Sequence, residues 1–259
     1  MSSDLFSVAG KTALVTGGTR GIGYMIAEGL VKAGARVIVS SRKTDACADA
    51  EKELSEHGEA TAIPADLSDP RQSAGLAEQV AAQTSELHVL VNNAGATWGA
   101  GFDDFPVSAW DKVINLNLRA PFVLTQQLRS MLEKASRDGD PARVINIGSI
   151  DGLAVPGFEN YSYGAAKAGL HHLTKHMASA LAPSILVNAI APGPFLTKMM
   201  EVPLAEHGDE IRERNPLRRI GAPADAAALA IFLSARGSSF ITGATIPLDG
   251  GMTTTLKVV

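Results

Sequence analysis

The chain of 259 residues contains a single cysteine, Cys47, so no internal disulfide can form, and a reducing compartment is expected. It has no apolar run long enough to span a membrane, and Met1 to Gly10 lack the basic-then-apolar pattern of a signal peptide, so a cytoplasmic setting is expected. Positive charge is not in excess. The 23 Lys and Arg against 27 Asp and Glu give a net charge of −4, which argues against nucleic-acid binding. No cluster of metal ligands stands out either. His172 and His176 have the spacing of helical ligands, but no acidic or cysteine ligand accompanies them, so an interface or solvated helix face is expected and no metal. Cys47 has no strand end or basic cradle to activate it and reads as a bystander.

What is present is an ordinary globular composition, 46% hydrophobic and 19% charged, long enough for one large α/β domain with a substantial core. Apolar runs at 12–16, 36–40, 60–64, 89–92, 144–147, 186–190 and 245–247 alternate with helical patterns. This βαβ rhythm predicts a single-domain, doubly wound parallel sheet of about seven strands, covered on both faces. Right-handed crossovers then bring the strand C-terminal ends to one edge, where ligands bind. No stretch reads as a linker or repeat. Residues 136–141 read as an exposed polar turn.

The strand at 12–16 runs into Gly17-Gly18-Thr19-Arg20-Gly21-Ile22-Gly23, and helical character follows over 24–33. Strand, glycine turn, helix is the context of a dinucleotide fingerprint: glycines let the backbone approach a pyrophosphate, and the helix start offers free N–H groups. The second strand ends without the acid that would bind a ribose 2′-hydroxyl. Ser41 stands there, followed by Arg42 and Lys43, with Arg20 in the glycine turn able to reach the same place. Guanidinium groups bind a 2′-phosphate, so NADP(H) is expected over NAD(H), the alternative being solvated charges at a helix start.

Tyr163 and Lys167 are four residues apart, hence on one helical face. A cation near a phenol favours the phenolate, so the pair reads as a general acid/base with a lowered Tyr163 pKa, although such pairs also occur on ordinary helix faces. Ser149 closes a strand 14 residues before Tyr163, where its hydroxyl could stabilise a developing oxyanion. Tyr161 has no lysine at plus four.

Thr16 to Gly23, Asn92-Asn93-Ala94-Gly95, Ser149, Tyr163 with Lys167, and Pro192-Gly193 occur in the order found in short-chain dehydrogenases/reductases, and over residues 8 to 251 the chain resembles that family. Within it, the sequence is similar to 3-oxoacyl-(acyl carrier protein) reductases, especially the rhamnolipid-associated type. The resemblance implies a catalytic group of Asn117, Ser149, Tyr163 and Lys167, with Asn115 the nearest competitor of Asn117. It implies a cofactor site at Gly17, Thr19, Arg20, Gly21, Ile22, Gly23, Ser41, Arg42, Asp66, Leu67, Asn93, Ala94, Gly95, Tyr163, Lys167, Pro192, Gly193, Phe195 and Thr197. It further implies hydride transfer from NADPH to a carbonyl, a proton from Tyr163, and resupply through Asn117, water and Lys167. Residues 194–216 would form a substrate lid, with Met199 and Met200 in an apolar wall, or else a packed surface helix pair. Homotetramers pairing helices near 122–132 and 165–181 are expected. An acyl carrier protein as partner would need cations such as Arg129, Lys175, Arg218 and Arg219, which otherwise read as ordinary surface. Two alternatives remain: a reductase of free ketones, and a non-catalytic NADPH-binding regulator, which would be expected to lose Tyr163 or Lys167.

Overall fold

The computed structural model describes residues 5–255, with only the main chain described at Met199, Val202 and Pro203. Strands and helices alternate: β1 Thr12–Thr16, α1 Gly21–Lys32, β2 Arg36–Ser41, α2 Thr44–Ser55, β3 Ala60–Pro64, α3 Pro70–Gln83 and β4 Val89–Asn92. Then come α4 Val107–Ile114, α5 Ala120–Ala135, β5 Ala142–Ile147, α6 Tyr161–Leu181, β6 Ile185–Pro192, α7 Glu201–Arg214, α8 Pro223–Ser234 and β7 Thr245–Leu248. The strands form one sheet in the order β3-β2-β1-β4-β5-β6-β7. Every pairing is parallel. The order reverses between β1 and β4, which makes the crevice beyond their C-terminal ends the switch point of the sheet.

Parallel strands covered on both faces need apolar side chains at every position, which is why Thr12-Ala13-Leu14-Val15-Thr16 shows no polar alternation and is buried throughout. The two-residue period divides those side chains between two cores. Val15, Val37 and Val39 face one layer with Ile26 and Leu30 of α1 and Leu54 of α2. Leu14, Ile38 and Leu90 face the other, with Leu76 of α3 and Leu124 and Leu128 of α5. Gly29 has no Cβ where α1 meets Ala227 of α8, and this lets the two helices lie close.

The predicted strands are all present, and several run longer. β2 includes Ser41, paired with Pro64. β6 reaches Pro192 because β5 and β7 pair with it from either side. Helix α1 begins at Gly21, ahead of the expected residue 24. The turn at 136–141 departs further from expectation. Arg137, Asp138 and Gly139 are exposed, but Asp140 turns inward. Its Oδ1 accepts from Lys11 Nζ at 2.8 Å and from Arg143 Nη2 at 3.3 Å, so the turn anchors two cations beneath the sheet.

Candidate active site

The crevice begins at the glycine turn. Gly17 and Gly21 have φ of +62° and +57°, conformations that side chains disfavour. A methyl on Gly17 would also stand 2.8 Å from Asn93 Nδ2 and 3.0 Å from Ala94 Cα. Asn93 clasps this turn, its amide donating to the carbonyls of Thr16 at 2.9 Å and Gly17 at 3.1 Å. Thr16 answers from the other strand, its hydroxyl accepting from the N–H groups of Asn93 and Ala94, both at 3.0 Å. The N-terminus of α1 has no side-chain cap and no acid in its first turn. Its first N–H groups and positive dipole end therefore face the crevice. Thr197 lies across from this point, with Cγ2 3.3 Å from where a Gly21 methyl would be. A cradle with this shape and polarity fits a dinucleotide pyrophosphate.

At the end of β2, Ser41 is half-buried and Arg42 is exposed, its guanidinium loosely directed at Asp66 across 4.0 Å. Arg20 is exposed in the glycine turn. Asp66 is held by Ser68, whose N–H and hydroxyl donate to Oδ1 at 3.0 and 2.7 Å. Of the remaining expected cofactor residues, Leu67 and Phe195 are buried in the core, so only their main chains remain for a ligand. Pro192 ends β6, and the Gly193 N–H donates to Leu248 O at 3.0 Å.

Asn117, Ser149, Tyr163 and Lys167 come from three different segments. Asn117 lies in a single π-helical turn, Asn115–Arg119, between α4 and α5. The extra residue in that turn swings its side chain inward, where Nδ2 donates to Ala96 O at 2.7 Å and to Val113 O at 3.0 Å. Gly95 is required opposite, because a methyl there would be 2.5 Å from Asn117 Oδ1. Ser149 follows β5 in extended backbone, and its hydroxyl accepts from the Asp151 N–H at 3.2 Å. Tyr163 and Lys167 share one face of α6, with the ammonium 5.5 Å from the phenol ring centroid. Lys167 Nζ donates to Ile147 O at 2.6 Å. Tyr161 turns away, its hydroxyl 3.2 Å from Glu159 Oε1 and its ring against Phe102 and Phe105.

The electrostatics correct one expectation. Lys167 does not lower the Tyr163 phenol here. Desolvation pushes that phenol up to about 12, Asp151 adds to the rise, and the Ser149 hydrogen bond opposes it. Burial pulls the Lys167 ammonium down to about 8 against the partial support of Asp151. Asp151 is itself raised by burial, although Asn160 Nδ2 donates to its Oδ2 at 2.8 Å and Lys167 lies near. The phenol therefore keeps its proton at neutral pH.

A family model described as enoyl-(acyl carrier protein) reductase matches residues 17–253. The chain belongs to the short-chain dehydrogenase/reductase family. It is 45% identical over 251 residues to the rhamnolipids biosynthesis 3-oxoacyl-[acyl-carrier-protein] reductase of Pseudomonas aeruginosa, covering 95% of this chain and 97% of that one. It is 37% identical to the 3-oxoacyl-[acyl-carrier-protein] reductase FabG of Aquifex aeolicus, over 94% of this chain and 97% of that one. The solved Pseudomonas aeruginosa RhlG/NADP active-site complex superposes with a TM-score of 0.94 at 44% identity, covering 96% of this chain and 99% of that one.

Several residues that hold this reductase-family site together were not among the expected site residues, although Asn92 belongs to the Asn92–Gly95 motif. Asn92 Nδ2 donates to Asn146 Oδ1 at 3.0 Å, and Asn146 Nδ2 donates to Thr174 Oγ1 at 2.9 Å, tying β4, β5 and α6 together by a buried polar ladder. Asn215, after α7, donates from Nδ2 to Asp249 O at 3.0 Å, and Asp249 in turn accepts from the N–H groups of Gly251 and Thr253, each at 2.8 Å. Only the asparagines inside strand-like runs hinted at this, since a polar side chain in a two-faced strand needs a partner. His172 and His176 are exposed, with their Nε2 atoms 3.2 Å apart. Among the described residues no group of three or more His, Cys, Asp or Glu could hold a metal ion.

Proposed function

We propose that the protein is an NADPH-dependent reductase that converts a 3-oxoacyl thioester to the 3-hydroxyacyl thioester. The observation that carries this reading is the convergence of Ser149, Tyr163, Lys167 and Asn117 beside a glycine cradle with an uncapped helix N-terminus. The relatives named for 3-oxoacyl-carrier-protein reduction, and the RhlG structure with NADP, support it. When bound, NADPH supplies the hydride from its nicotinamide ring.

The chain's own groups do the rest. Ser149 and Tyr163 hydrogen-bond the substrate carbonyl oxygen and hold it in place. Tyr163, kept neutral by burial, gives its proton to the oxygen as negative charge develops there. Lys167, which donates to the Ile147 carbonyl, binds the cofactor ribose and reloads the phenol with Asn117 behind it. The glycine turn, Thr197 and the α1 N-terminus would hold the pyrophosphate. Asp66 would take the adenine end, and Arg20 and Arg42 would take the 2′-phosphate beside Ser41. Residues 194–216 act as the substrate lid, and Met200 is half-buried within them. The side chain of Met199 lies outside the described residues.

A free ketone is the second reading, and one observation favours it. Three of the four cations that would meet an acidic carrier protein are already engaged, Arg218 through Nη1 to Glu213 O. Arg129 pairs with Glu133 at 2.8 Å, and Arg219 forks onto Asp225 at 2.5 and 2.9 Å. We also infer a cytoplasmic homotetramer. Phe122 on α5 is 45% exposed, an apolar contact offered to another copy, and a monomer in sedimentation would refute the assembly.

NADPH oxidation measured across 3-oxoacyl thioesters and free ketones decides between the two substrates. Turnover of the thioesters supports the proposal, and brisk ketone reduction with none of the thioesters turned over assigns a general carbonyl reductase. In the same assay NADPH should exceed NADH in kcat/KM by at least about tenfold, ~1.4 kcal/mol, and Ser41→Asp should move the preference toward NADH.

A further inference from the structure

His171 lies on α6 one turn after Lys167, and no step above uses it. It is 6% exposed, and neither Nδ1 nor Nε2 makes a hydrogen bond of good geometry, although the Gly152 main chain lies near the ring. Burial lowers its pKa below the usual histidine value, and Lys167 and Lys175 lower it further. The nearby Gly152 main chain opposes this without reversing it, so the ring is neutral. A polar ring buried without partners costs stability. What it touches accounts for its presence.

The ring rests against the two glycines that bracket Ser149. A methyl on Gly148 would overlap the imidazole, at 2.7 Å from Cδ2. A methyl on Gly152 would stand 2.9 Å from Cε1 and 2.7 Å from the Lys167 carbonyl carbon. Neither glycine has the positive φ that would require glycine for its backbone, so the requirement at both is space: His171 occupies it at Gly148, while at Gly152 the α6 main chain at Lys167 and Ala168 comes closer than the ring. The turn between them is also held by main-chain bonds, the Gly148 N–H donating to Ile190 O at 2.7 Å. The Gly152 N–H closes it onto Ser149 O at 3.1 Å.

We propose that His171 is a positioning residue for Ser149: its ring is the wall against which the Gly148–Gly152 turn is laid, and it sets where the Ser149 hydroxyl meets the substrate carbonyl. This rests on the reading of Ser149 as a carbonyl-binding group. The test compares Ser149→Ala, His171→Ala, Gly148→Ala and the doubles S149A/H171A and G148A/H171A. It measures kcat and KM on the carbonyl substrate that the wild type turns over fastest, and NADPH affinity by fluorescence.

Ser149→Ala alone checks the underlying reading. Wild-type turnover in that variant would remove the role of Ser149 and this proposal with it. With the loss in Ser149→Ala established, His171→Ala should lower kcat at least about tenfold while NADPH affinity stays within about twofold. S149A/H171A should be no slower than S149A, because the ring acts through the hydroxyl. Gly148→Ala should be impaired, and adding His171→Ala should restore at least about threefold, since the methyl enters the space the ring leaves. Multiplying losses in S149A/H171A, or no recovery in G148A/H171A, would overturn the proposal. Should His171→Ala alone fail to fold, the Gly148→Ala pair still decides it.

Discussion

At the N-terminal edge of the sheet, Arg143 is 1% exposed and shares Asp140 with Lys11. Arg143 also donates to Ala235 O at 3.1 Å, and Lys11 to Ser234 O at 2.9 Å. At the C-terminal edge, Lys167 is 4% exposed and donates to one backbone carbonyl, with the nearby carboxylate of Asp151 bonded to Asn160. The same sheet thus buries cations at both ends under opposite rules. One end supplies a bonded acid for its cations, with Arg143 Nε the one nitrogen of that guanidinium left without a partner. The other leaves an ammonium, a phenol and an uncapped helix N-terminus with capacity to spare, and that spare capacity is what a cofactor and a carbonyl would use.

Breaking the acid-paired edge should have the largest effect. Asp140→Ala leaves two buried cations without their carboxylate and should destabilise the fold by about 3 kcal/mol, discounted for the partial exposure of Asp140. Chemical denaturation would measure this, and kcat below the melting range should stay within about twofold of wild type. A comparable loss of kcat would mean that the two edges are coupled.

The second prediction sharpens the contrast through pH. Lys167 has a folded pKa near 8 and an ordinary unfolded value of 10.5. The unfolded chain therefore binds more protons between those values, and this group's penalty on the cofactor-free fold is present in full below about pH 8 and relieved as pH rises toward 10.5. Wild type should gain stability relative to Lys167→Met over that window. A constant difference between the two from pH 7 to 10 would show that Lys167 is not desolvated.

The smallest effect belongs to α7. Its Arg214–Glu210 pair at 2.5 Å is exposed, and the helix is interrupted by non-helical backbone at His207. Arg214→Ala should change stability by less than about 0.5 kcal/mol in thermal unfolding.

The contrast also explains what could be read from sequence. The strand segments, the glycine cradle and the Tyr163–Lys167 pair were legible because each is a local pattern with a fixed period or spacing. Asp140 was not, because a polar turn before a strand looks the same whether its acid faces water or Arg143. The π-turn at Asn117 leaves no periodic mark in eight helical residues on one side and sixteen on the other. The raised Tyr163 pKa was misjudged because spacing reveals a neighbouring cation but says nothing of burial, and burial is the larger effect. His171 fared likewise: it lies in a helix whose sequence drew notice for its neighbours His172 and His176, and its contact with Gly148 spans more than twenty residues of chain.

Tyr163→Phe tests the central claim most directly, since it keeps the ring and removes only the proton. Turnover of the carbonyl substrate should fall at least about a hundredfold, ~2.7 kcal/mol in transition-state stabilisation, while NADPH binds within about threefold of wild type by fluorescence titration. Near-normal turnover in that variant, with the loss appearing in Tyr161→Phe, would contradict the account.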